Sequence, residues 1–264
     1  SFMSIYYETR RFIDIRGRMD VISQFIEKMP NKKNAAETEL DLDSDFNIKI
    51  SNLKFSYVPE KPIINNLSFN IKQNEKIALV GSIGSGKSTI GKLLVRLIEY
   101  NAGHIYLNGV DIKHINIDNL RTIINYIPQH PKLFNRTLYE NIIYAVKRRV
   151  TREEVLQTIK SLDIPEIYNT FKDKMDSSVG KNGSKLSGGQ RQVVWLLRAI
   201  LTNPSVIILD EPTASMDNKS KIEVTKLVKK LGENSTIILI THDDILLEYV
   251  DRKITFDKGK IVDK

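Results

Sequence analysis

The segment Gly81-Ser82-Ile83-Gly84-Ser85-Gly86-Lys87-Ser88-Thr89 constrains the fold of this chain more than any other. It follows directly on Lys76-Ile77-Ala78-Leu79-Val80, a compact apolar run with the length of a buried strand, and opens a helical pattern from Lys87 to Ile98. A glycine, four residues and then Gly-Lys-Ser, set between strand and helix, is the phosphate-binding loop pattern. Glycines let the backbone curl around phosphate oxygens, so that several N–H groups and a helix N-terminus point at the negative charge. Lys87 supplies a point charge for β and γ phosphates, and Ser88 offers a hydroxyl ligand to Mg²⁺. A glycine-rich turn could match by accident, but the strand before and the helix after argue for the functional reading.

A second feature lies far along the chain. Val206-Ile207-Ile208-Leu209 is a four-residue apolar run that ends in Asp210-Glu211, and Ile237-Ile238-Leu239-Ile240 is another such run. Both have the length of buried parallel strands, and the lysine-rich, aliphatic segment between them has a helical pattern. Strand, helix and strand with short links imply a parallel sheet covered by helices. Ligands gather at the C-terminal ends of such strands, where Asp210 can hold Mg²⁺ through water. Glu211, pointing the other way, can polarise a water attacking a γ-phosphate. An apolar run ending in two acids is common by itself; the phosphate loop gives it weight.

The remaining chain sets the boundaries. Residues 1–29 read as an amphipathic helix, with Ile5, Phe12, Ile15, Met19, Ile22 and Ile26 at three- and four-residue steps, and Pro30 ends it. Residues 31–45 are polar and increasingly acidic, as a linker is. From Phe46 onward come strand-like segments, Asn47–Ile50 and Leu67–Ile71, and a turn at Gln73-Asn74-Glu75 where Asn74 can take a positive φ. Residues from about 135 to 200 are mostly helical in pattern, with Thr151-Arg152-Glu153-Glu154 a helix start. No apolar run approaches the roughly 20 residues of a membrane span, and charges at Glu8, Arg10, Arg11 and Asp14 break any secretory signal. As it stands the sequence reads as a soluble molecule. It has no cysteine, which excludes disulfides and thiolate zinc sites, and its four histidines are dispersed. The net charge of +8 would suit a nucleic-acid partner, but the basic residues are scattered without an arginine-rich stripe, as on a solvated lysine-rich surface, so no nucleic-acid partner is expected.

Leu186-Ser187-Gly188-Gly189-Gln190, ahead of a helical run, matches letter for letter the signature sequence of the ATP-binding cassette (ABC) family, and the whole of 46–264 resembles one nucleotide-binding domain of that family. The resemblance implies an α/β fold: a P-loop NTPase core with a mostly parallel sheet, an antiparallel β subdomain and an inserted helical subdomain at about 135–200. It also assigns residues that carry no signal singly. Tyr57, in Phe55-Ser56-Tyr57, resembles the aromatic on which adenine stacks, and Gln129, in Ile127-Pro128-Gln129, the Q-loop glutamine that senses Mg²⁺ and the attacking water. Ser215-Met216-Asp217 resembles the D-loop, and His242 the switch histidine. Taken one at a time, Tyr57 reads equally as a strand aromatic, Gln129 as a surface residue and His242 as a histidine at a strand end. By resemblance the nucleotide set is Tyr57, Ile63, the loop from Gly81 to Thr89, and Ser187, Gly188, Gly189 and Gln190. The catalytic set is Lys87, Gln129, Glu211 and His242, and the metal set is Ser88, Gln129 and Asp210. Trp195, the only tryptophan, and His104, His114 and His130 read as structural or solvent-facing.

Thr137–Ile142, after the Q-loop, is similar to the exporter form of the family, and Tyr7–Arg10 with Ile13-Asp14 to the end of the last membrane helix of B-type exporters, in the multidrug-resistance, heavy-metal-tolerance and mitochondrial half-transporter group. On that likeness, residues 1–30 are the cytosolic extension of a membrane helix. The domain would bind ATP and Mg²⁺, face the cytosol or an organelle matrix, and power export. Its partners would be a second nucleotide-binding domain packed head to tail and the transmembrane domain of the same polypeptide. Ser187, Gly188 and Gly189 would then serve the partner's ATP. Lys181, Asn74, Met216 and Asp243 depart from the usual exporter residues, glutamate, glycine, a smaller side chain and arginine respectively, and Lys181 puts the polar contact with the coupling helices in doubt. Two other readings stay open: a soluble, non-transport cassette ATPase, and a regulatory cassette that binds ATP without turnover.

Overall fold

The computed structural model describes residues 38–40, 46–214 and 216–263. The helix expected over 1–29 and most of the polar segment 31–45 lie outside the described residues. Residues 38–40 hydrogen-bond to the 114–119 stretch: the Thr38 N–H donates to the His114 carbonyl at 2.8 Å and the Leu40 N–H to Asn119 Oδ1 at 3.0 Å.

Two sheets organise the rest. Strands β1 (Asn47–Val58) and β2 (Lys61–Lys72) form a long hairpin, and β4 (Ala102–Leu107) and β5 (Val110–Asp111) extend it into an antiparallel sheet of order β2-β1-β4-β5. One face is buried through Ile48, Ile50, Leu53 and Phe55 on β1 and Leu67, Phe69 and Ile71 on β2, while the alternate residues stay polar. The second sheet has order β10-β9-β3-β8-β7-β6. Its members are β3 (Lys76–Gly81), β6 (Ile124–Ile127), β7 (Val206–Asp210), β8 (Thr236–Ile240), β9 (Arg252–Asp257) and β10 (Lys260–Asp263). All neighbours are parallel except β9 and β10. Every residue of β7 and β8 is buried, which is why both read as unbroken apolar runs.

Register decides where function can sit. Ile127 pairs with Leu209, Leu209 with Leu239, and Leu79 with Ile240. The four central strands therefore end at one level, and the residues that follow them emerge along one edge.

After β3 comes helix α1 (Lys87–Leu94), four residues shorter than the pattern to Ile98 implied. Arg96 takes a left-handed φ of 49°. The Arg96 N–H donates to the Leu93 carbonyl and the Leu97 N–H to the Lys92 carbonyl, at 3.0 and 2.9 Å, which closes the helix end. The Arg96 guanidinium also donates to the carbonyls of Ile112 and Ile115. At the β2–β3 turn Asn74 has φ 58°, as the turn required.

Helix α2 (Ile117–Ile123) precedes β6. Between β6 and β7 the described residues hold helices and no strand: α3 (Leu138–Ile142), α4 (Arg152–Ser161), α5 (Pro165–Phe171) and α6 (Gly188–Thr202). Thr137 caps α3 in a reciprocal box with Glu140, and Thr151 caps α4 where the sequence marked a start. Trp195 is half-buried and its indole N–H donates to the Lys132 carbonyl at 3.1 Å, a packing role. Helices α7 (Asn218–Leu231) and α8 (Asp244–Leu247) complete the fold. No helix among the described residues is long and apolar enough to cross a membrane.

Helix α5 begins with a proline and lacks a side-chain cap of its own. Its first N–H groups are satisfied from α7, where the Glu223 carboxylate, only 7% exposed, accepts from Glu166 N–H at 2.9 Å and Ile167 N–H at 3.2 Å. Replacing Glu223 with Ala strands those donors, at a cost of about 1–3 kcal/mol, or a fall in Tm of roughly 3–10 °C. Differential scanning calorimetry checks this; an unchanged Tm contradicts the capping role.

Candidate nucleotide site at the sheet edge

The phosphate loop leaves β3 through Gly81, which has φ 136° and pairs with Phe256 on β9. A Cβ there would lie 2.1 Å from the Phe256 carbonyl oxygen, so neither the conformation nor the space admits a side chain. At the other end Gly86, φ 103°, enters α1 against Ile63 and Ile64 of β2. Ile83, at the crest, is 98% exposed. The loop is thus pinned at both ends and open at its centre.

Lys87 folds back over this loop. Its ammonium donates to the carbonyls of Gly81 at 2.7 Å and Ser82 at 2.8 Å and approaches Ser85 Oγ at 3.3 Å. Burial lowers its pKa, and the nearby carboxylates of Glu211 and Asp210 work in the opposite direction. Ser88, one residue on, donates from Oγ to Asp210 Oδ1 at 2.9 Å. The other oxygen of Asp210 accepts from the Tyr126 hydroxyl at 2.7 Å. Burial, then the Asp210 charge, pushes the Tyr126 phenol well above its usual range, so this hydroxyl remains a donor.

Glu211 turns sharply out of β7. Its φ of 47° is left-handed, an arrangement that costs a non-glycine residue roughly 1–3 kcal/mol and clusters at working sites. The conformation is held by the Glu211 N–H donating to the Ile240 carbonyl at 2.7 Å. The Glu211 carboxyl is 22% exposed, and one oxygen lies 3.8 Å from His242 Nε2. Burial raises its pKa; His242 opposes the rise and Asp210 adds to it.

Of the residues singled out from sequence, the structure brings together Lys87, Ser88, Asp210, Glu211 and His242: Ser88 bonds to Asp210, Glu211 approaches His242, and Lys87 interacts with the charges of both carboxylates. Gln129 is exposed two residues beyond Ile127, at the level of Glu211 by register. Tyr57, the penultimate residue of β1, is 56% exposed and packs edge-on with Phe55, ring centroids 4.8 Å apart; it is a strand aromatic with a free face. Ser187 N-caps α6 in a reciprocal box with Gln190. Ser187, Gly189 and Gln190 line a separate cavity of about 260 Å³ with Met216 and Glu223, and no phosphate-loop residue takes part in it. Ser215 lies outside the described residues.

Two contributors have no role assigned by the sequence. Tyr126 carries no motif, although the unexplained glycine opposite it, Gly91 in a helix interior, was a visible signal. Asp243, noted as a departure, accepts from Thr213 Oγ1 at 2.9 Å, lies 3.3 Å from Lys221 Nζ and N-caps α8. It ties the residue after His242 to the segment after Glu211.

The donor set suits the ligands that the loop implies. A hydroxyl and a carboxylate are hard oxygen donors of the kind Mg²⁺ takes, leaving room for phosphate oxygens and water, and an ammonium beside loop N–H groups suits polyphosphate.

Residues 64–214 match the protein family described as ABC transporter, and the chain belongs to that family. It is 37% identical over 217 residues to the ABC transporter B family member 24, mitochondrial, of Arabidopsis thaliana, covering 82% of this chain and 32% of that protein. To the ATP-dependent lipid A-core flippase of Francisella novicida it is 35% identical over 239 residues, covering 90% of this chain and 40% of the flippase. Among solved structures, a bacterial Atm1-family ABC exporter with ATP bound gives a TM-score of 0.82 at 28% identity, covering 94% of this chain and 44% of that one. The α/β P-loop NTPase fold implied by the motifs is the one found, and so is the B-type exporter likeness. The chain spans about a third to two-fifths of the length of these curated relatives.

The two glycines of the loop differ in a testable way. Gly81→Ala meets backbone and is expected to cost more than ~2 kcal/mol. Gly84→Ala enters open space at φ 80° and is expected to cost only the ~1–2 kcal/mol of a left-handed residue. Thermal melts of the two variants compare them; equal losses contradict the pinned-loop description.

Proposed function

We propose that this chain binds and hydrolyses Mg-ATP at the sheet edge as the nucleotide-binding part of a membrane exporter. The observation that carries the reading is the Ser88–Asp210 contact of 2.9 Å directly beside the Lys87 ammonium and the Glu211 carboxyl. In one small volume it assembles a phosphate grip, a hydroxyl–carboxylate cation site and a candidate base.

In this reading Tyr57 and Ile63 receive the adenine, and the loop from Gly81 to Thr89 wraps the phosphates with its N–H groups. Lys87 exchanges its loop carbonyls for β and γ oxygens, a move that its existing tilt toward Gly81 and Ser82 prepares. Ser88, Asp210 and Gln129 would hold Mg²⁺, which when bound offsets the charge building on the phosphate oxygens. Glu211 orients a water and accepts its proton, and His242, 3.8 Å away, steadies Glu211 and meets the γ-phosphate. Ser187, Gly189 and Gln190 line a cavity in which no phosphate-loop residue takes part, which suits service of these residues and Gly188 to a second copy's nucleotide in a head-to-tail pair.

On the same reading residues 46–264 are the cassette domain, with its helical part at about 135–200. Residues 1–30 continue from a membrane helix of the same polypeptide, 31–45 join the two, and the domain faces the cytosol or an organelle matrix. The exporter and flippase relatives support transport over a soluble ATPase. Glu211 supports turnover over binding alone. Closure of the pair on ATP and release after hydrolysis would shift a two-state equilibrium in the membrane part.

Glu211→Gln is expected to retain ATP and accumulate as a dimer in size-exclusion chromatography with Mg-ATP, while Lys87→Ala stays monomeric with weakened binding. A Glu211→Gln protein that hydrolyses ATP as fast as wild type removes Glu211 from the mechanism.

A further inference from the structure

Gly91 occupies the interior of helix α1, where glycine costs about 1 kcal/mol relative to alanine. The structure shows what this glycine makes possible. A Cβ at Gly91 would lie 2.9 Å from Cε2 of Tyr126 and 3.2 Å from Cγ2 of Ile208. The aromatic ring therefore lies directly against the helix backbone, in space that any larger residue would take. Tyr126 stands opposite Ile208 in the parallel β6–β7 register, and Asp210, two residues along the same strand, shares the face of Ile208. From that position the phenol reaches forward along the sheet to Asp210 Oδ2 at 2.7 Å.

Resting on the Mg-ATP reading above, we infer that Tyr126, seated by Gly91, is a positioning residue that orients the Asp210 carboxylate for the nucleotide-bound cation. Asp210 has two side-chain donors, Ser88 Oγ on one oxygen and the Tyr126 hydroxyl on the other. A Ser88 hydroxyl that turns its oxygen to a cation changes its bond to Asp210. The Tyr126 bond, on the carboxylate oxygen that Ser88 does not use, is the one that persists and keeps the carboxylate aimed. Tyr126 touches neither nucleotide nor metal in this arrangement; it acts through Asp210.

The test is binding of a fluorescent ATP analogue to the 264-residue chain, titrated with Mg²⁺ from an EDTA-treated start. Tyr126→Phe keeps the ring and removes the donor. It is expected to bind the analogue without Mg²⁺ as wild type does, and to need roughly ten-fold more Mg²⁺ for the tightening that the metal brings. Gly91→Ala, which touches no ligand, is expected to shift the Mg²⁺ requirement in the same direction by displacing the ring. The double variant is expected to be no worse than Tyr126→Phe alone, because both act on one hydrogen bond. A role in packing alone would lower Tm and leave the Mg²⁺ midpoint in place. A folded Tyr126→Phe chain with the wild-type midpoint overturns the inference while leaving the ATP reading intact. A wild-type chain that shows no Mg²⁺-dependent binding overturns both. Gly91→Ala carries the test by itself if the tyrosine variant does not fold.

Discussion

Parallel strands that pair in register must finish together, and nearly everything of interest in this molecule follows from that constraint. With Leu79, Ile127, Leu209 and Ile240 on neighbouring strands at about one level, the chain can turn polar only beyond them. Below that edge the sheet is sealed on both faces by apolar side chains, where an unpaired charge would cost several kcal/mol. Above it, segments far apart in sequence are delivered side by side. The loop after β3, the two acids at the end of β7 and the histidine after β8 need no further device to meet, and the glutamine after β6 leaves its strand at the same level.

What the edge then has to manage is charge. Lys87 is 7% exposed and Asp210 5%, so each relies on specific partners rather than on water. Lys87 borrows two loop carbonyls, and Asp210 receives two hydroxyls. Glu211 leaves β7 in a left-handed conformation, and its carboxyl, close enough to Asp210 for that charge to help raise its pKa, has His242 3.8 Å away to oppose the rise. The departures from the usual family residues fit the same local logic. Asn74 adopts the positive φ that glycine would supply, and Asp243 gains a threonine, a lysine and a helix N-terminus as partners. Met216 fills the space over Gly189, 3.6–3.8 Å from where a Cβ would stand. Nothing in the structure explains Lys181.

Legibility in the sequence tracked the distance over which a feature is encoded. The phosphate loop, the strand ending in Asp210-Glu211, the Ser187–Gln190 turn and the cap at Thr151 are each written within a few consecutive residues, and their local form is as read. The helix after Lys87 was overextended because Arg96 closes it in a left-handed conformation with no glycine to announce the stop. The first two strands run to twelve residues each, longer than their apolar cores, because their outward faces are polar. Hidden altogether were partners joined only by the fold, such as Tyr126 with Asp210, 84 residues apart, and Glu223 with the start of α5, 57 residues away. Their residue types are ordinary, and only strand register or helix packing gives them a role.

In the proposed function, polyphosphate and its cation sit where the level strand ends put Lys87, Ser88 and Asp210. A crystal structure of the chain with Mg²⁺ and a non-hydrolysable ATP analogue tests this most directly. It should show the Lys87 ammonium moved from the carbonyls of Gly81 and Ser82 onto the β and γ phosphates, with the cation between Ser88 and Asp210. Nucleotide bound elsewhere, with Lys87 still folded onto its own loop, would contradict the account.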